Sequence, residues 1–376
     1  MNRVFEETIK NQLKSNRIIL LSGPYGVGKV SFASKCLNDL DFRFETIDFR
    51  NEKIRKKFNK LSKEELTWYF NQQPFFVLGD AQLFDSLQLL LDEILAEKIK
   101  TSVVLCCAFE PPIVSELKEA LKWGGLEFHF PELTYYELTQ QFGMVNEEQR
   151  LEQRLVFGSY PQVANLPENS SELLTEITNQ ILNSTKLGVE DRVNKKESMI
   201  RILQTAAHLF GQPVSYNQIA ERANVDNETA ERYLKLFQKA NLIFLIPSFH
   251  TEQKYELKKT HLIYFCDNGI RNGIIQNFNP LPMRMDEELL WKNWLVAERI
   301  KWNKINGKEV QYYFWRSHTR QQLDFLEFQQ GSKNAYKFSL EKKKMLKESP
   351  LFKTYYPDVI FKTVNRSTYL TFLTRK

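Results

Sequence analysis

The residues best suited to chemistry lie together in a glycine-rich segment near the start of the chain. They are Gly23, Pro24, Tyr25, Gly26, Val27, Gly28, Lys29, Val30 and Ser31. Their spacing fits the pattern G-x-x-x-x-G-K, in which backbone N–H groups surround phosphate oxygens and the lysine reaches the β- and γ-phosphates. An apolar run at residues 18–21 precedes the segment as a buried strand would, and a helical pattern follows it. The segment therefore predicts a phosphate-binding loop with ATP or ADP as its ligand.

One position in this segment departs from the pattern. The residue after the lysine normally supplies a Ser or Thr hydroxyl to Mg²⁺, but Val30 has no atom that can bind a metal. Ser31 does not replace it, because successive helical residues point about 100° apart around the helix axis. Nucleotide binding is therefore predicted, while the contribution of Mg²⁺ and the ability to hydrolyse ATP are left open.

A second departure follows the apolar run at residues 75–78, which ends in Gly79 and Asp80. A P-loop ATPase needs two acidic residues at the end of a neighbouring strand, one for the Mg²⁺ shell and one to polarise the attacking water. In one register Gly79 replaces the first acid and Asp80 is the second. In the other register Asp80 is the metal-shell residue and Ala81 replaces the base. Either way one carboxylate is missing, Asp80 is the candidate catalytic residue, and no metal ligand set is predicted.

The elements around this segment alternate between strands and helices. Such alternation predicts an α/β fold with a parallel, doubly wound sheet. A helix is predicted at residues 29–37, and another through Leu87, Leu90, Leu91, Ile94 and Leu95. The predicted strands are residues 18–21, 42–48, 75–78 and 102–106. With 376 residues, the chain is too long for one ordinary core, and two or three domains are expected.

The remainder of the chain is first helical and then rich in aromatic strands. Residues 151–193 are mainly helical, and two later helices are predicted to begin after the capping residues Ser215 and Asp226. With the strand at 242–246 and the alternating segment at 255–265, these helices predict a winged helix. A tryptophan-rich helix at 287–302 and strands at 311–315, 323–328 and 335–338 complete the pattern.

Composition and charge indicate a cellular compartment and a class of partner. No apolar run reaches membrane-spanning length, no signal-peptide core is present, and four cysteines lack zinc-site spacing, so a cytoplasmic protein with reduced thiols is expected. The net charge of +6 is uneven: residues 250–376 hold 23 Lys/Arg and 13 Asp/Glu, a balance of +10. Either these charges form solvated faces, or the C-terminal third meets a polyanion such as nucleic acid.

Together, these motifs resemble those of prokaryotic AAA-type P-loop ATPases that carry a winged helix and a C-terminal restriction-nuclease-like domain. Beyond the loop, the resemblance rests on residues 78–82, 131–138, 158–161, 264–272, 290–294, 298–299, 323–325, 335–339 and 356–357. It implies an ATPase core at 1–145, a helical lid at 146–195, a winged helix at 196–262 and a nuclease-like domain at 263–376.

The resemblance also marks positions at which this chain differs from the family. An arginine donor is missing from residues 121–125, and lysines stand in place of acids at Lys292 and Lys337, which leaves Asp324. Replacing carboxylates by lysines disfavours a divalent metal. We expect a lysine within salt-bridge reach of Asp324 and no nuclease activity. In one alternative Lys337 makes this pair, and in another both lysines lie on the surface.

Three functions fit these observations. The first is a nucleotide-binding regulatory or structural protein with weak or absent hydrolysis. The second is an active ATPase that completes its Mg²⁺ shell with Asp48 or Asp80, and the third is a nucleic-acid-binding protein with a vestigial loop. A protein partner or a homo-oligomer is conceivable in each case. The helix predicted after Asp226 exposes both acidic and basic residues, so a structural or protein-docking role suits it better than DNA contact.

Overall fold

The computed structural model describes residues 3–107, 125–183, 193–250 and 260–374. The chain divides into two compact units, Met1–Glu132 and Leu133–Lys376. No helix in these described ranges is long and apolar enough to cross a membrane. The finer division into four domains stays a prediction.

The first unit is built on a five-stranded parallel sheet, which confirms the predicted fold class. Its strands are β1 Ile18–Ser22, β2 Phe44–Asp48, β3 Phe75–Gly79, β4 Ser102–Cys107 and β5 Gly125–His129, in the spatial order β2-β3-β4-β1-β5. Every residue of β1 and β3 is buried, as expected for parallel strands that are covered on both faces. The sequence predicted four of these strands but not β5.

Among the described residues of the first unit, α1 Glu6–Leu13 precedes β1 and the other helices follow strands. These are α2 Lys29–Asp39, α3 Glu52–Phe58, α4 Lys63–Phe70 and α5 Leu87–Leu95. The core beneath α3 to α5 is aromatic, with Phe49 stacked on Phe84 at 4.6 Å between ring centroids and Phe58 edge-on to Phe49 at 5.6 Å. This packing fixes the chain immediately after β2.

The second unit begins with helices, two helical turns and a small sheet. The helices are α6 Tyr135–Phe142, α7 Met144–Gln149, α8 Leu151–Phe157, α9 Pro161–Asn165, α10 Ser170–Asn183, α11 Val193–His208, α12 Tyr216–Ala223, α13 Asn227–Lys239 and α14 Asn268–Ile274. The strands β6 Pro213–Val214, β7 Ile243–Pro247 and β8 His261–Phe265 pair antiparallel in the order β6-β8-β7. Ser215 and Asp226 cap α12 and α13, as predicted. Residues 255–259 of the predicted alternating segment lie outside the described residues.

The C-terminal part of the second unit contains a long helix and a mixed sheet. The helices are α15 Glu287–Ile305, α16 Pro350–Tyr355 and α17 Tyr369–Thr374, and the strands are β9 Gln311–Arg316, β10 Gln322–Gln329, β11 Ser332–Phe338 and β12 Ile360–Val364. The sheet order is β12-β11-β10-β9, with β11 and β12 parallel and the other pairs antiparallel. Trp291 of α15 and Trp315 of β9 are fully buried. The predicted tryptophan-rich helix and its three aromatic strands are confirmed; β12 was not predicted.

Candidate nucleotide-binding site

The glycine-rich segment forms the turn between β1 and α2 and depends on glycine at two positions. Gly28 has a φ of +85°, which is left-handed and favours a residue without a Cβ, and it caps α2. Gly23 donates its N–H to the carbonyl oxygen of Cys107 at 3.2 Å, and a Cβ at Gly23 would overlap the carbonyl oxygen of Phe130. The strand, loop and helix therefore have the arrangement of a phosphate-binding loop.

Lys29 lies inside this loop rather than in solvent. Its residue is 8% exposed, and its Nζ donates to the carbonyl oxygens of Gly23 at 2.9 Å and Pro24 at 2.7 Å. Burial lowers the pKa of Lys29, because the charged ammonium loses hydration. The hydrogen-bond acceptors of its ammonium are neutral carbonyl oxygens, and a phosphate anion beside Lys29 would add a charged acceptor.

The two positions at which a metal site was predicted to be incomplete face each other. A Cβ built on Gly79 would lie 3.1 Å from Cγ2 of Val30 and 3.6 Å from Cα of Asp48. The first turn of α2 therefore places a methyl group against the end of β3. Ser31, the next residue of α2, is exposed. Val30 and Gly79, the two departures from the sequence pattern, are thus in contact with each other. Neither side chain offers the hydroxyl or carboxylate that the pattern expects.

Asp80 follows Gly79 in a left-handed conformation, with φ 49° and ψ 47°. Its Oδ1 accepts a hydrogen bond from Nε2 of Gln82 at 2.9 Å, and its Oδ2 lies 3.3 Å from Nε of Arg50. The candidate catalytic carboxylate is therefore held by two neighbouring side chains. A water molecule that Asp80 polarised would have to compete with an amide and a guanidinium for its oxygens.

Arg50 is the residue of this site that the sequence did not reveal. Its Nη2 lies 2.6 Å from Oδ2 of Asp48, its Nε lies 3.0 Å from both oxygens of that carboxylate, and its Nη1 donates to the hydroxyl of Tyr25 at 2.9 Å. Hydrogen bonding to Asp48 raises the pKa of Arg50, so its charge is permanent. The only sequence signal for this position was an arginine two residues after an acidic strand end.

Local structure after β2 explains why Arg50 takes this position. The side chain of Asp48 accepts the backbone N–H of Arg50 at 2.9 Å. On one side of Arg50, Phe49 is fully buried and donates its N–H to the carbonyl oxygen of Gly79 at 3.0 Å. On the other side, Asn51 caps α3 through its side chain. The backbone of Arg50 is thus fixed at both ends, and its guanidinium reaches the end of β3.

These residues do not fit a Mg²⁺ site. Mg²⁺ requires oxygen ligands in near-octahedral geometry. Val30 and Gly79 offer none from their side chains, and the carboxylates of Asp48 and Asp80 are both engaged by Arg50. Within the described part of the chain, no group of three or more His, Cys, Asp or Glu residues could hold a metal ion. By contrast, the loop and Lys29 fit the phosphates of a nucleotide.

A second set of predicted site residues lies in the other unit, at Asp324 on β10. Lys292 of α15 places Nζ 3.0 Å from Oδ1 of Asp324, which confirms the expected salt bridge. Phe338 donates its backbone N–H to Oδ2 at 3.0 Å, and Gln322 donates to Oδ1 at 3.3 Å. The register between β10 and β9 shifts between Leu323 and Leu326, so Asp324 lies at a bulge, which re-aims side chains.

The alternative in which Lys337 pairs with Asp324 is wrong. Nζ of Lys337 donates instead to the carbonyl oxygen of Lys347 at 3.2 Å, in an exposed position. Lys337 lies on β11, one residue before Phe338, and successive residues of a strand point to opposite faces. Residues 121–124, part of the segment in which an arginine donor was missing, lie outside the described residues.

Comparisons with known proteins find distant similarities. A family model described as a domain of unknown function, DUF8612, matches residues 148–281. An uncharacterized protein of Haemophilus influenzae is 23% identical over 290 residues, which cover 73% of this chain and 71% of that protein. The Walker-type ATPase of Pyrococcus abyssi has a TM-score of 0.47 at 15% identity, covering 73% of this chain and 95% of its own. The RuvB Holliday junction branch migration motor of Thermotoga maritima has a TM-score of 0.34 at 16% identity, covering 64% and 86%. Similarities at this level do not establish a function for this chain, so any functional inference rests on its own residues.

The contact between Val30 and Gly79 predicts that substitutions at these positions are coupled. Gly79→Ala should lower the free energy of unfolding by about 1–2 kcal/mol, because the new Cβ is crowded by a methyl group in a buried place. In a Val30→Ser background the same change should cost at least about 0.5 kcal/mol less. Urea unfolding of the two single variants and the double variant measures this coupling. Strictly additive effects would contradict the contact.

The Lys292–Asp324 pair predicts a stability role for Asp324. Asp324→Ala should lower the free energy of unfolding by about 1–3 kcal/mol, since it leaves Lys292 without its partner and the buried N–H of Phe338 without an acceptor. The matched control is Asp358→Ala, which breaks the exposed pair between Asp358 and Lys333 and should cost about 0–1 kcal/mol. Equal losses in the two variants, or metal-dependent DNA cleavage abolished by Asp324→Ala, would contradict this assignment.

Proposed function

We propose that this chain binds ATP or ADP through residues 23–31, with little dependence on Mg²⁺ and with weak or absent hydrolysis. The observation that carries the proposal is the glycine-rich turn between β1 and α2, in which Lys29 is buried and Val30 packs against Gly79. Binding through such a loop comes from backbone N–H groups, the start of a helix and a lysine, none of which requires the metal.

ATP hydrolysis requires groups that nucleotide binding does not. These are a cation that neutralises charge on the transferred phosphate and a carboxylate that orients water. An active ATPase would have to recruit Asp48 or Asp80 to these tasks, and Arg50 holds both. This ion-pair network favours a nucleotide-binding protein over an active ATPase. Phosphate release from ATP, measured with Mg²⁺ present, should therefore not rise above the protein-free rate.

The remaining assignments complete this proposal. The chain would be a cytoplasmic AAA-type regulatory or structural component, and residues 196–262 would form a winged helix. Residues 263–376 would form a restriction-nuclease-like domain without nuclease chemistry. Lys292 supports the last point, because its ammonium lies 3.0 Å from Oδ1 of Asp324 and its charge would repel a divalent ion there. Such a component would act as a member of an assembly, either with a protein partner or as a homo-oligomer.

The central prediction concerns Lys29. Lys29→Ala should weaken binding of ADP by roughly 10- to 150-fold, because a charge-assisted hydrogen bond to phosphate contributes about 1.5–3 kcal/mol. Lys14→Ala removes an exposed lysine before β1 and should leave the affinity unchanged. Isothermal titration of ADP into the three proteins, with EDTA and with Mg²⁺, provides the measurement. Equal affinity in the Lys29→Ala protein would mean that the loop is only a turn.

A second candidate function is polyanion binding by the C-terminal third, and an exposed lysine cluster favours it. Lys342, Lys343, Lys344 and Lys347 are exposed between β11 and α16. Helix α13 is less suited to nucleic acid, since Glu228 and Glu231 lie in its first half and would repel the phosphate backbone. Any DNA or RNA contact would then be made with phosphates, largely independent of sequence.

This candidate predicts a steep salt dependence. Binding of the full chain to a labelled DNA or RNA should weaken as salt rises, and replacing the four lysines of the cluster by alanine should flatten the slope of log affinity against log salt. The matched control replaces four exposed lysines of the first unit, Lys53, Lys56, Lys57 and Lys60. Fluorescence anisotropy provides the readout. No binding at low salt, or the same slope in both quadruple variants, would rule out the cluster as a polyanion site.

A further inference from the structure

We infer that the guanidinium of Arg50 takes the place of the divalent cation at this site, so that the ligand is a nucleotide phosphate without bound metal. The inference rests on the proposed function, because it specifies the chemical form in which the nucleotide is recognised. It makes Arg50 a positioning residue that links the strand ends to the phosphate loop and presents positive charge to the ligand.

The first support is the position of Arg50 relative to the loop. Asp48 lies opposite Gly79 in the register of β2 and β3, and Gly79 faces Val30 at the start of α2. From the same edge of the sheet, Arg50 reaches Tyr25, which belongs to the glycine-rich segment itself. The guanidinium therefore connects the three parts that surround a metal in a phosphate-loop enzyme: the loop, the end of β2 and the end of β3.

The second support is the charge at this edge. Asp48 and Asp80 would attract a dication, but Arg50 bonds to both carboxylates and reduces their combined formal charge from −2 to −1. An added Mg²⁺ would have to displace a guanidinium that holds Asp48 through Nε and Nη2. Bidentate pairs of this kind are among the stronger ionic contacts in proteins. Metal entry is therefore opposed by both charge and geometry.

The third support is the donor capacity that remains on Arg50. Counted over the described residues, its contacts engage Nε and one N–H on each of Nη1 and Nη2. A guanidinium carries five N–H donors, so a second N–H on each terminal nitrogen is left for a ligand. The side chain is 47% exposed, which allows a phosphate oxygen to reach it. Arginine also suits phosphate because its planar fork matches two oxygens.

The test compares ADP binding by the full-length protein and by variants at Arg50, with EDTA and with Mg²⁺. In the unchanged protein the two affinities should agree within about twofold. Arg50→Gln should weaken binding in EDTA by roughly tenfold or more, and added Mg²⁺ should restore part of the loss because Asp48 and Asp80 become available. Arg50→Lys keeps the charge without the planar fork, so its affinity for ADP in EDTA should lie between those of the unchanged protein and Arg50→Gln.

The matched control is Arg43→Gln, which removes an exposed arginine immediately before β2 and should bind ADP like the unchanged protein. Circular dichroism checks that every variant is folded. Binding by the unchanged protein that needs Mg²⁺ and Lys29 would overturn this inference and leave the proposed function standing. An Arg50→Gln protein whose affinity for ADP in EDTA equals that of the unchanged protein would also overturn this inference and leave the proposed function standing. No ADP binding under either condition would overturn the proposed function and this inference with it.

Discussion

Two carboxylates at one end of a parallel sheet require a positive charge beside them, and in this chain Arg50 supplies it. Asp48 and Asp80 follow neighbouring strands, and the guanidinium contacts both. The buried ring of Phe49 and the cap at Asn51 fix the backbone that carries Arg50. The same guanidinium donates to the hydroxyl of Tyr25, so it links the two strand ends to the glycine-rich segment.

A related substitution of cation for metal is found at Asp324. There the ammonium of Lys292 lies 3.0 Å from a carboxylate whose other oxygen accepts a backbone N–H. In both places a side chain of the protein provides the charge that a divalent ion would otherwise bring. A fixed monovalent cation preserves the packing around an acidic residue but cannot activate water as a bound metal does. The proposal of nucleotide binding without hydrolysis or DNA cleavage rests on these two cations.

The sequence predicted best where the determinants are local. The turn between β1 and α2 was predicted from its glycine spacing, and the helices after Ser215 and Asp226 from their caps. The salt bridge at Asp324 was expected because lysines replaced acids, although the choice between Lys292 and Lys337 needed the geometry of β11. Strand β5 was missed, since its residues Gly125–His129 are not a continuous apolar run.

Arg50 escaped prediction for a different reason. Its partner Asp80 is thirty positions away in the numbering and meets it only because β2 and β3 are neighbours in the sheet. The packing of Val30 against Gly79 was likewise invisible in the sequence, where the two residues stood as separate departures from a pattern. Contacts between strand ends depend on sheet order, which periodicity and spacing leave undetermined.

A crystal structure of this chain grown with ADP and Mg²⁺ would test the central claim most directly. The account predicts the β-phosphate within residues 23–31, Nζ of Lys29 turned from the carbonyl oxygens of Gly23 and Pro24 towards it, and the guanidinium of Arg50 within hydrogen-bond distance of a phosphate oxygen. An octahedral Mg²⁺ bound to Asp48 or Asp80, with Arg50 displaced from both carboxylates, would contradict it.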